Sequence, residues 1–290
     1  MDIAIIIPAY NEEKFLRKCL DSLLNQTHPA KKILVVDDGS NDKTSEILED
    51  ISENHSNFSY VKRKKSLKHS PGSKIIEAFN FGLNHLNVDY DVICKFDADL
   101  IFPTNYLDVL SRAFQENLKL GMYGGFCTVE KNGNWKIEQL TNSDHLRGAL
   151  KSYRRECFEQ INGLIPAMGW DTIDEMKARF YGWEVETNPK LLVKHLKPTG
   201  QHYKKELPEI FGVSLYRMRY SWSLALITCL KMAKNKSSFS FFQKSITSFL
   251  RSNSKKNTFL VSDKEGVFIR KYRWKKIKER LIQDFSNHIS

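Results

Sequence analysis

The chain predicts a parallel, doubly wound α/β sheet, and three observations carry that expectation. From Ile3 to Phe96, short β-prone apolar runs alternate with segments whose apolar residues recur at helical spacing. Three of the runs end in polar loops, at Asn11, at Asp37-Asp38 and at Asp97-Ala98-Asp99. In an open parallel sheet those loops share one edge, at the carboxyl ends of the strands, where ligands bind. No G-x-G-x-x-G follows the first run, so a dinucleotide-binding fingerprint is absent.

The first strand is the continuous apolar run Ile3 to Ile7, ending in Pro8-Ala9-Tyr10-Asn11-Glu12-Glu13. Asn11 is expected to cap the following helix, with Glu12 and Glu13 in its first turn. Phe15, Leu16, Cys19, Leu20, Leu23 and Leu24 give that helix a core face. Lys32 to Val36 is a second strand, closed by Asp37-Asp38-Gly39-Ser40-Asn41-Asp42; a helix with Ile47, Leu48 and Ile51 inward comes next. Phe58 to Val61 is a third strand, and Ser70-Pro71-Gly72-Ser73 leads into a helix carrying Ile75, Ile76, Phe79, Leu83 and Leu86. Tyr90 to Phe96 is the fourth strand.

Here Asp97 and Asp99 arrive as the apolar run stops, with Pro103 opening the next element. Carboxylates two apart on an extended chain point the same way, so the pair can face one ligand. Two hard oxygen donors with no Cys or His beside them in the chain suit Mg²⁺ or Mn²⁺. Taken alone, the pair also reads as a solvated acidic turn.

Beyond Pro103 a helix runs to about Leu118, with Tyr106, Leu107, Leu110 and Phe114 inward. Met122 to Val129 and Trp135 to Ile137 read as strands around the turn Asn132-Gly133. Tyr153 to Phe158 starts a short helix that stops at Asn162-Gly163. A second acidic centre follows in Gly169-Trp170-Asp171-Thr172-Ile173-Asp174-Glu175. Asp171 is placed to cap a helix there, with Asp174 and Glu175 in its first turn; a carboxylate so placed stays ionised and able to accept a proton. Leu191 to His195 is a further strand, followed by Lys197-Pro198-Thr199-Gly200.

Three of these stretches resemble the N-terminal signatures of family 2 glycosyltransferases, in order and in spacing. They are Ile5-Ile6-Ile7-Pro8-Ala9-Tyr10-Asn11-Glu12, Val35-Val36-Asp37-Asp38-Gly39-Ser40-Asn41-Asp42-Lys43-Thr44 and Phe96-Asp97-Ala98-Asp99. The resemblance covers roughly residues 1 to 200. It implies the GT-A fold, with a Rossmann-like, mostly parallel central sheet flanked by helices. It also implies a nucleotide-sugar donor, a divalent metal (Mg²⁺ or Mn²⁺), inversion at the sugar carbon, and a glycan or lipid-linked acceptor. By motif match, Pro8, Tyr10, Glu12, Asp37, Asp38 and Asp97 serve the donor, and Asp97 and Asp99 the metal. Lys74 stands where a donor-contacting polar residue is expected, ahead of Ala78, Asn80 and Gly82, which resemble the helix before the Asp-x-Asp strand. The family's usual Glu-Asp is followed by a Gly eleven residues after the Asp; Asp171 and Gly182 keep that spacing, so Asp171 matches the catalytic base. Trp170 replaces the usual Glu, which leaves Asp174 or Glu175 to supply the second acidic function. His195 resembles a later histidine that some GT-A enzymes offer to metal or diphosphate.

The 290 residues carry a net charge of +11, a balance that suits nucleic acid, an anionic membrane or phosphorylated substrates. The charge clusters at Lys62-Arg63-Lys64-Lys65 and from Arg270 to Lys276, with no nucleic-acid module around either cluster, so nucleic acid is not an expected partner. The 5 cysteines are scattered singly, as in a cytosolic protein with reduced core thiols. Pro8 interrupts the first apolar run, which is a strand and not a signal peptide. No apolar stretch reaches the ~20 residues of a membrane span.

The chain divides into a domain over 1–205 (donor half 1–102, acceptor half 103–205) and a helical, basic extension over 206–290. In the extension, Leu215, Met218, Trp222, Leu226 and Leu230 form one helical stripe; Phe239, Phe242, Ile246, Phe249 and Leu250 form another. The tail from Val267 mixes Phe268, Ile269, Tyr272 and Trp274 with Arg and Lys, a pattern that suits an anionic membrane at the inner face of the cell. Two rival functions remain at this point: a nucleotidyltransferase, and a catalytically silent module that binds sugar nucleotides.

Overall fold

A computed structural model gives the structure, describing residues 1–64, 72–138, 145–197, 207–254 and 257–289. The expected alternation runs β1 (Ile3–Ala9), α1 (Leu16–Leu24), β2 (Lys32–Asp37), α2 (Thr44–Asn54), β3 (Phe58–Lys62), α3 (Ser73–Leu83) and β4 (Val92–Phe96). There follow β5 (Leu100–Ile101), α4 (Tyr106–Glu116), β6 (Leu120–Lys131), β7 (Asn134–Ile137), β8 (Leu150–Arg154), α5 (Arg155–Gln160), α6 (Trp170–Phe180) and β9 (Glu184–His195). The strands form one sheet in the order β3-β2-β1-β4-β8-β6-β9-β5, with β7 paired to β6. β3, β2, β1 and β4 are mutually parallel. Ala9 lies opposite Asp37, and Ile6 opposite Lys95, so the loops after β1, β2 and β4 leave the same edge.

Because the part of the sheet built from β1, β2 and β4 is covered on both faces, those strands are apolar nearly throughout instead of alternating. Ile5, Ile7, Val35, Cys94 and Phe96 pack with Leu16 and Leu20 of α1 and Leu110 of α4. Ala4, Ile6, Leu34, Val36 and Ile93 face the other way, against Ile76 and Phe79 of α3. Gly82 sets the approach of α3: a Cβ there would come within 2.6 Å of Val36 Cγ2 and 2.8 Å of Ile6 Cγ2.

The structure differs from expectation in several places. Asn11 does not cap α1, which starts at Leu16; it holds a φ of 54° in the preceding loop. Tyr153 and Arg154 are not helical. They end β8, an antiparallel strand inserted between β4 and β6. Leu191 to His195 is only the last part of β9, and β5 directly after Asp99 pairs with its end. Gly169, with a φ of 82°, occupies the N-cap of α6, so Asp171 lies in the first turn and Asp174 and Glu175 beyond it. Asn132 and Gly133 do make the turn between β6 and β7, at φ 54° and 76°. Lys65, Ser70, Pro71 and Pro198 to Gly200 lie outside the described residues.

The chain divides into two compact units, Met1–Thr199 and Gly200–Ser290. The second contains α7 (Leu207–Arg217), α8 (Trp222–Asn235), α9 (Phe239–Ser254) and α10 (Asp263–Ile289). Its expected stripes are only half buried. Trp222 and Leu230 are exposed, and α9 buries Phe241, Ser245, Phe249 and Ser252 while Phe239 and Leu250 face out. At the crossing of α7 and α9, a Cβ on Gly212 would lie 2.0 Å from the Ser245 carbonyl oxygen, so only Gly fits. Among the described residues, no helix is long and apolar enough to cross a membrane.

Candidate active site

The loops after β1 and β2 are knitted by their own polar side chains. Asn11 donates its backbone N–H to Ser40 Oγ (3.0 Å), and Asn11 Oδ1 accepts from the Asn41 N–H (2.9 Å). Glu12 N–H donates to Thr44 Oγ1 at 2.9 Å. Asp37 is buried and spends its carboxylate on this turn, accepting from Ser40 N–H (2.8 Å) and Ser45 Oγ (2.7 Å). Asp38 is placed differently. Its Oδ1 is buried, lies 3.4 Å from Arg63 Nε and makes no hydrogen bond among the described residues. Burial raises the Asp38 pKa against the pull of Arg63 and of Lys74, which faces it from the start of α3. A buried acceptor left open at a strand end is a seat for a ligand's donor group. Pro8 is buried in β1, whereas Tyr10 is exposed at the mouth of the loop. Glu12 accepts from Lys197 Nζ at 2.9 Å; burial raises its pKa, and the neighbouring Asp99 and Asp97 add to that.

At the end of β4, Lys95 is fully buried and pairs with Asp97 Oδ1, and it also donates to the Gly148 carbonyl at 2.9 Å. Asp99 faces His195, with Oδ2 3.4 Å from Nε2. Sheet register brings them together, since Leu100 of β5 pairs with His195 of β9. The other ring nitrogen, Nδ1, lies 3.4 Å from Glu138 Oε2, which Arg147 holds at 2.9 Å. Burial works against a charged His195, but Asp99 and Glu138 outweigh it and raise the pKa to about 9. Cys127, Glu138 and His195 come within 4.8 Å of one another. Burial keeps that thiol protonated, with its pKa pushed up to about 12, and Arg147 already neutralises Glu138.

The third component comes from α6. Lys151 of β8, fully buried, donates to the Asp171 backbone carbonyl (2.5 Å), to both oxygens of Asp174 (2.8 and 2.9 Å) and to Glu175 Oε1 (3.2 Å). Tyr153 Oη donates to Asp174 Oδ2 at 2.6 Å. Asp174 is thus enclosed in a buried ion pair, and that enclosure rather than substrate satisfies its carboxylate. Asp171 is different: about a third of its side chain is exposed, and its nearest cation is His145, 3.7 Å away. Burial would raise its pKa, but His145, Lys151 and Arg147 prevail and lower it to about 2.

The two ends of the site meet through Trp170 and Gly148. The Trp170 ring packs against both buried lysines, 5.4 Å from Lys95 Nζ and 5.5 Å from Lys151 Nζ, which sit side by side in the register of β4 and β8. A Cβ on Gly148 would come 3.0 Å from that ring and 3.4 Å from Asp171 Cβ. Asp97, through Lys95, and Asp171, through Lys151, are therefore both linked to one aromatic ring. No motif in the sequence assigns a role to Lys95, Lys151, His145, Arg147 or Glu138. Lys95 and Lys151 could have been noticed as lone charges inside β-prone runs.

A family model described as Glycosyl transferase family 2 matches residues 4–170. The chain is 32% identical over 162 residues to dolichyl N-acetyl-alpha-D-glucosaminyl phosphate 3-beta-D-2,3-diacetamido-2,3-dideoxy-beta-D-glucuronosyltransferase of Methanococcus voltae, covering 54% of this chain and 49% of that one. It is 32% identical over 240 residues to poly-beta-1,6-N-acetyl-D-glucosamine synthase of Staphylococcus epidermidis, covering 76% and 53%. The chain thus spans about half the length of these two curated relatives. Among solved structures, a fragment of S. aureus TarS in complex with UDP-GlcNAc aligns at a TM-score of 0.59, with 18% identity, covering 88% of this chain and 73% of that one. A mannosyltransferase of Pyrobaculum calidifontis in complex with GDP-Man and Mn²⁺ aligns at 0.55, with 16% identity, covering 86% and 69%. At those identities the likeness shows the fold, which is the GT-A fold of glycosyltransferases.

Proposed function

The chain belongs to glycosyl transferase family 2, and we propose that it moves a sugar from a nucleoside-diphosphate sugar to an acceptor hydroxyl, with inversion at the sugar carbon. The observation that carries this reading is the convergence of three chemically distinct carboxylates on one sheet edge. Asp38 keeps an unfilled buried oxygen, Asp99 faces an imidazole, and Asp171 is ionised and reachable.

In this reading Asp38, flanked by Lys74 and Arg63, accepts a hydrogen bond from the nucleobase, and Pro8, Tyr10 and Glu12 line the same pocket. Asp37 contributes by shaping the loop. Asp171 takes the proton of the acceptor hydroxyl; the oxygen's electron pair forms the bond to the sugar carbon as the bond from that carbon to the diphosphate oxygen breaks. Attack from the face opposite the leaving group inverts the centre. Asp174 holds Lys151, and so holds the backbone of Asp171 in place, a positioning role.

Asp97, Asp99 and His195 would hold a Mg²⁺ or Mn²⁺ ion, a hard carboxylate set with one imidazole that suits such cations. When bound, the ion supplies positive charge against the leaving diphosphate. A glycan or lipid-linked acceptor is proposed as well, supported by the names of the two curated relatives, a poly-beta-1,6-N-acetyl-D-glucosamine synthase and a glucuronosyltransferase named for a dolichyl-linked sugar phosphate.

The same reading places the C-terminal unit on an anionic membrane at the inner face of the cell. Its support is a groove of about 790 Å³ along α10, lined by Arg270, Lys271, Lys275 and Lys278 together with Trp274 and Ile282. A thermal-shift series with UDP-GlcNAc, GDP-Man and other nucleotide sugars, with and without Mn²⁺, tests the donor. A true donor at 100-fold its dissociation constant stabilises the fold by about 2.7 kcal/mol, and the Asp38→Ala protein should lose that response. Equal response of the two proteins to every nucleotide sugar would refute the pocket.

A further inference from the structure

His145 lies between two carboxylates of α6. Its Nδ1 is 2.9 Å from Glu175 Oε1, and its Nε2 is 3.7 Å from Asp171 Oδ2. The Glu175 end is an anchor, because Oε1 also accepts from the Leu146 N–H (2.9 Å) and from Lys151 Nζ (3.2 Å). The ring is largely buried, with 18% of its side chain exposed. A neutral imidazole has one N–H and one lone pair, so between two ionised carboxylates its lone pair would face an oxygen anion. Only the doubly protonated ring presents N–H to each.

We infer that His145 is a positioning residue, an imidazolium pinned to Glu175 that holds Asp171 by Oδ2 and leaves Oδ1 to receive the acceptor's proton. This rests on the reading of Asp171 as the base. The arrangement has two effects on Asp171. It restricts rotation of the carboxylate, and it keeps the group ionised at the expense of basicity. The groups facing this pair are Asp171 and Glu175 from α6, Lys151 from β8, and Arg147 from the segment of His145 itself. Burial disfavours the imidazolium, but the two carboxylates prevail and raise its pKa to about 9, while Asp171 falls to about 2. Proton uptake by Asp171 forms a neutral carboxylic acid whose Oδ2 still faces the His145 N–H, so the base remains aligned as the acceptor oxygen bonds to the sugar carbon.

Two measurements test this. In the intact protein labelled with ¹⁵N-histidine, His145 should stay doubly protonated up to about pH 9. In Asp171→Asn and in Glu175→Gln it should titrate closer to ~6.5, the ordinary value. In turnover of the nucleotide sugar selected by thermal shift, His145→Gln keeps a donor to Glu175 but removes the charge. Its kcat/KM should acquire an acid limb near pH ~4 that the parent lacks, and kcat should fall about tenfold with the donor KM unchanged. A wild-type His145 that titrates near ~6.5 overturns the pairing, and that reading needs no variant. A His145→Gln pH profile superimposable on the parent overturns the positioning role. If His145 titrates as inferred but Asp171→Asn retains turnover, the base assignment falls and the positioning role with it, while the ion pair stands.

Discussion

Replacing Asp171 by Asn separates catalysis from stability, because the structure gives this residue little structural work. Gly169, not Asp171, is the N-cap of α6, and no side-chain cap bond is made there. What the substitution removes is a negative charge in the first helical turn, worth about 0.3–1 kcal/mol, and an ion pair to His145 at 3.7 Å. With about a third of the Asp171 side chain exposed, that pair is screened and contributes about 1 kcal/mol or less. The total cost is therefore about 2 kcal/mol or less. The depressed carboxyl pKa makes this contribution present at neutral pH and lost as pH falls through about 2. Loss of a general base, by contrast, lowers turnover by roughly 10²–10⁴-fold, equivalent to about 3–5 kcal/mol of barrier. Asp174→Asn reverses the pattern. It leaves Lys151, which is fully buried, short of one partner and should cost about 3–5 kcal/mol of stability. The assay is urea denaturation beside steady-state turnover and donor affinity for the two variants. An Asp171→Asn enzyme within tenfold of the parent, or a stable but inactive Asp174→Asn enzyme, would refute the assignment.

Other outcomes follow from the same geometry. Asp99→Asn should weaken Mn²⁺ binding at least tenfold, read by electron paramagnetic resonance of free Mn²⁺; an unaltered isotherm contradicts the metal seat. Gly212→Ala should destabilise the C-terminal unit by about 1–3 kcal/mol, since its methyl would collide with the Ser245 carbonyl at the α7–α9 crossing; unchanged urea unfolding contradicts that packing. Replacing Lys271, Lys275 and Lys278 together by Gln should cut flotation with phosphatidylserine vesicles, at about 1 kcal/mol lost per charge, without altering donor turnover; equal flotation means α10 is not the membrane contact.

The first four strands were legible because a sheet covered on both faces demands near-continuous apolar runs; Ile3 to Ile7 is unbroken, and Val92 to Phe96 is broken only by Lys95. The later strands were not. β8 is Leu150-Lys151-Ser152-Tyr153-Arg154, and its polar members are buried because partners distant in the chain satisfy them. Lys151 finds Asp174 and Glu175, and Arg154 finds the carbonyls of Phe114 and Leu120. No local pattern announces such a strand. The same holds at the site. Asp38 and Asp171 could be picked out because motifs surround them. The role of Asp37 in its loop could not, since it depends on which of two adjacent carboxylates turns inward. His145 stood alone in the chain, and only the fold sets it between Asp171 and Glu175.

The central claim, direct displacement at the sugar carbon with Asp171 as base, is tested most directly by the stereochemistry of the first-formed product. With the nucleotide sugar that raises the melting temperature most, an α-linked donor can be turned over with water or an added sugar as acceptor while proton NMR follows the anomeric signals. A β product appearing first, before any mutarotation, is the predicted result. An α product appearing first would contradict the single-displacement account.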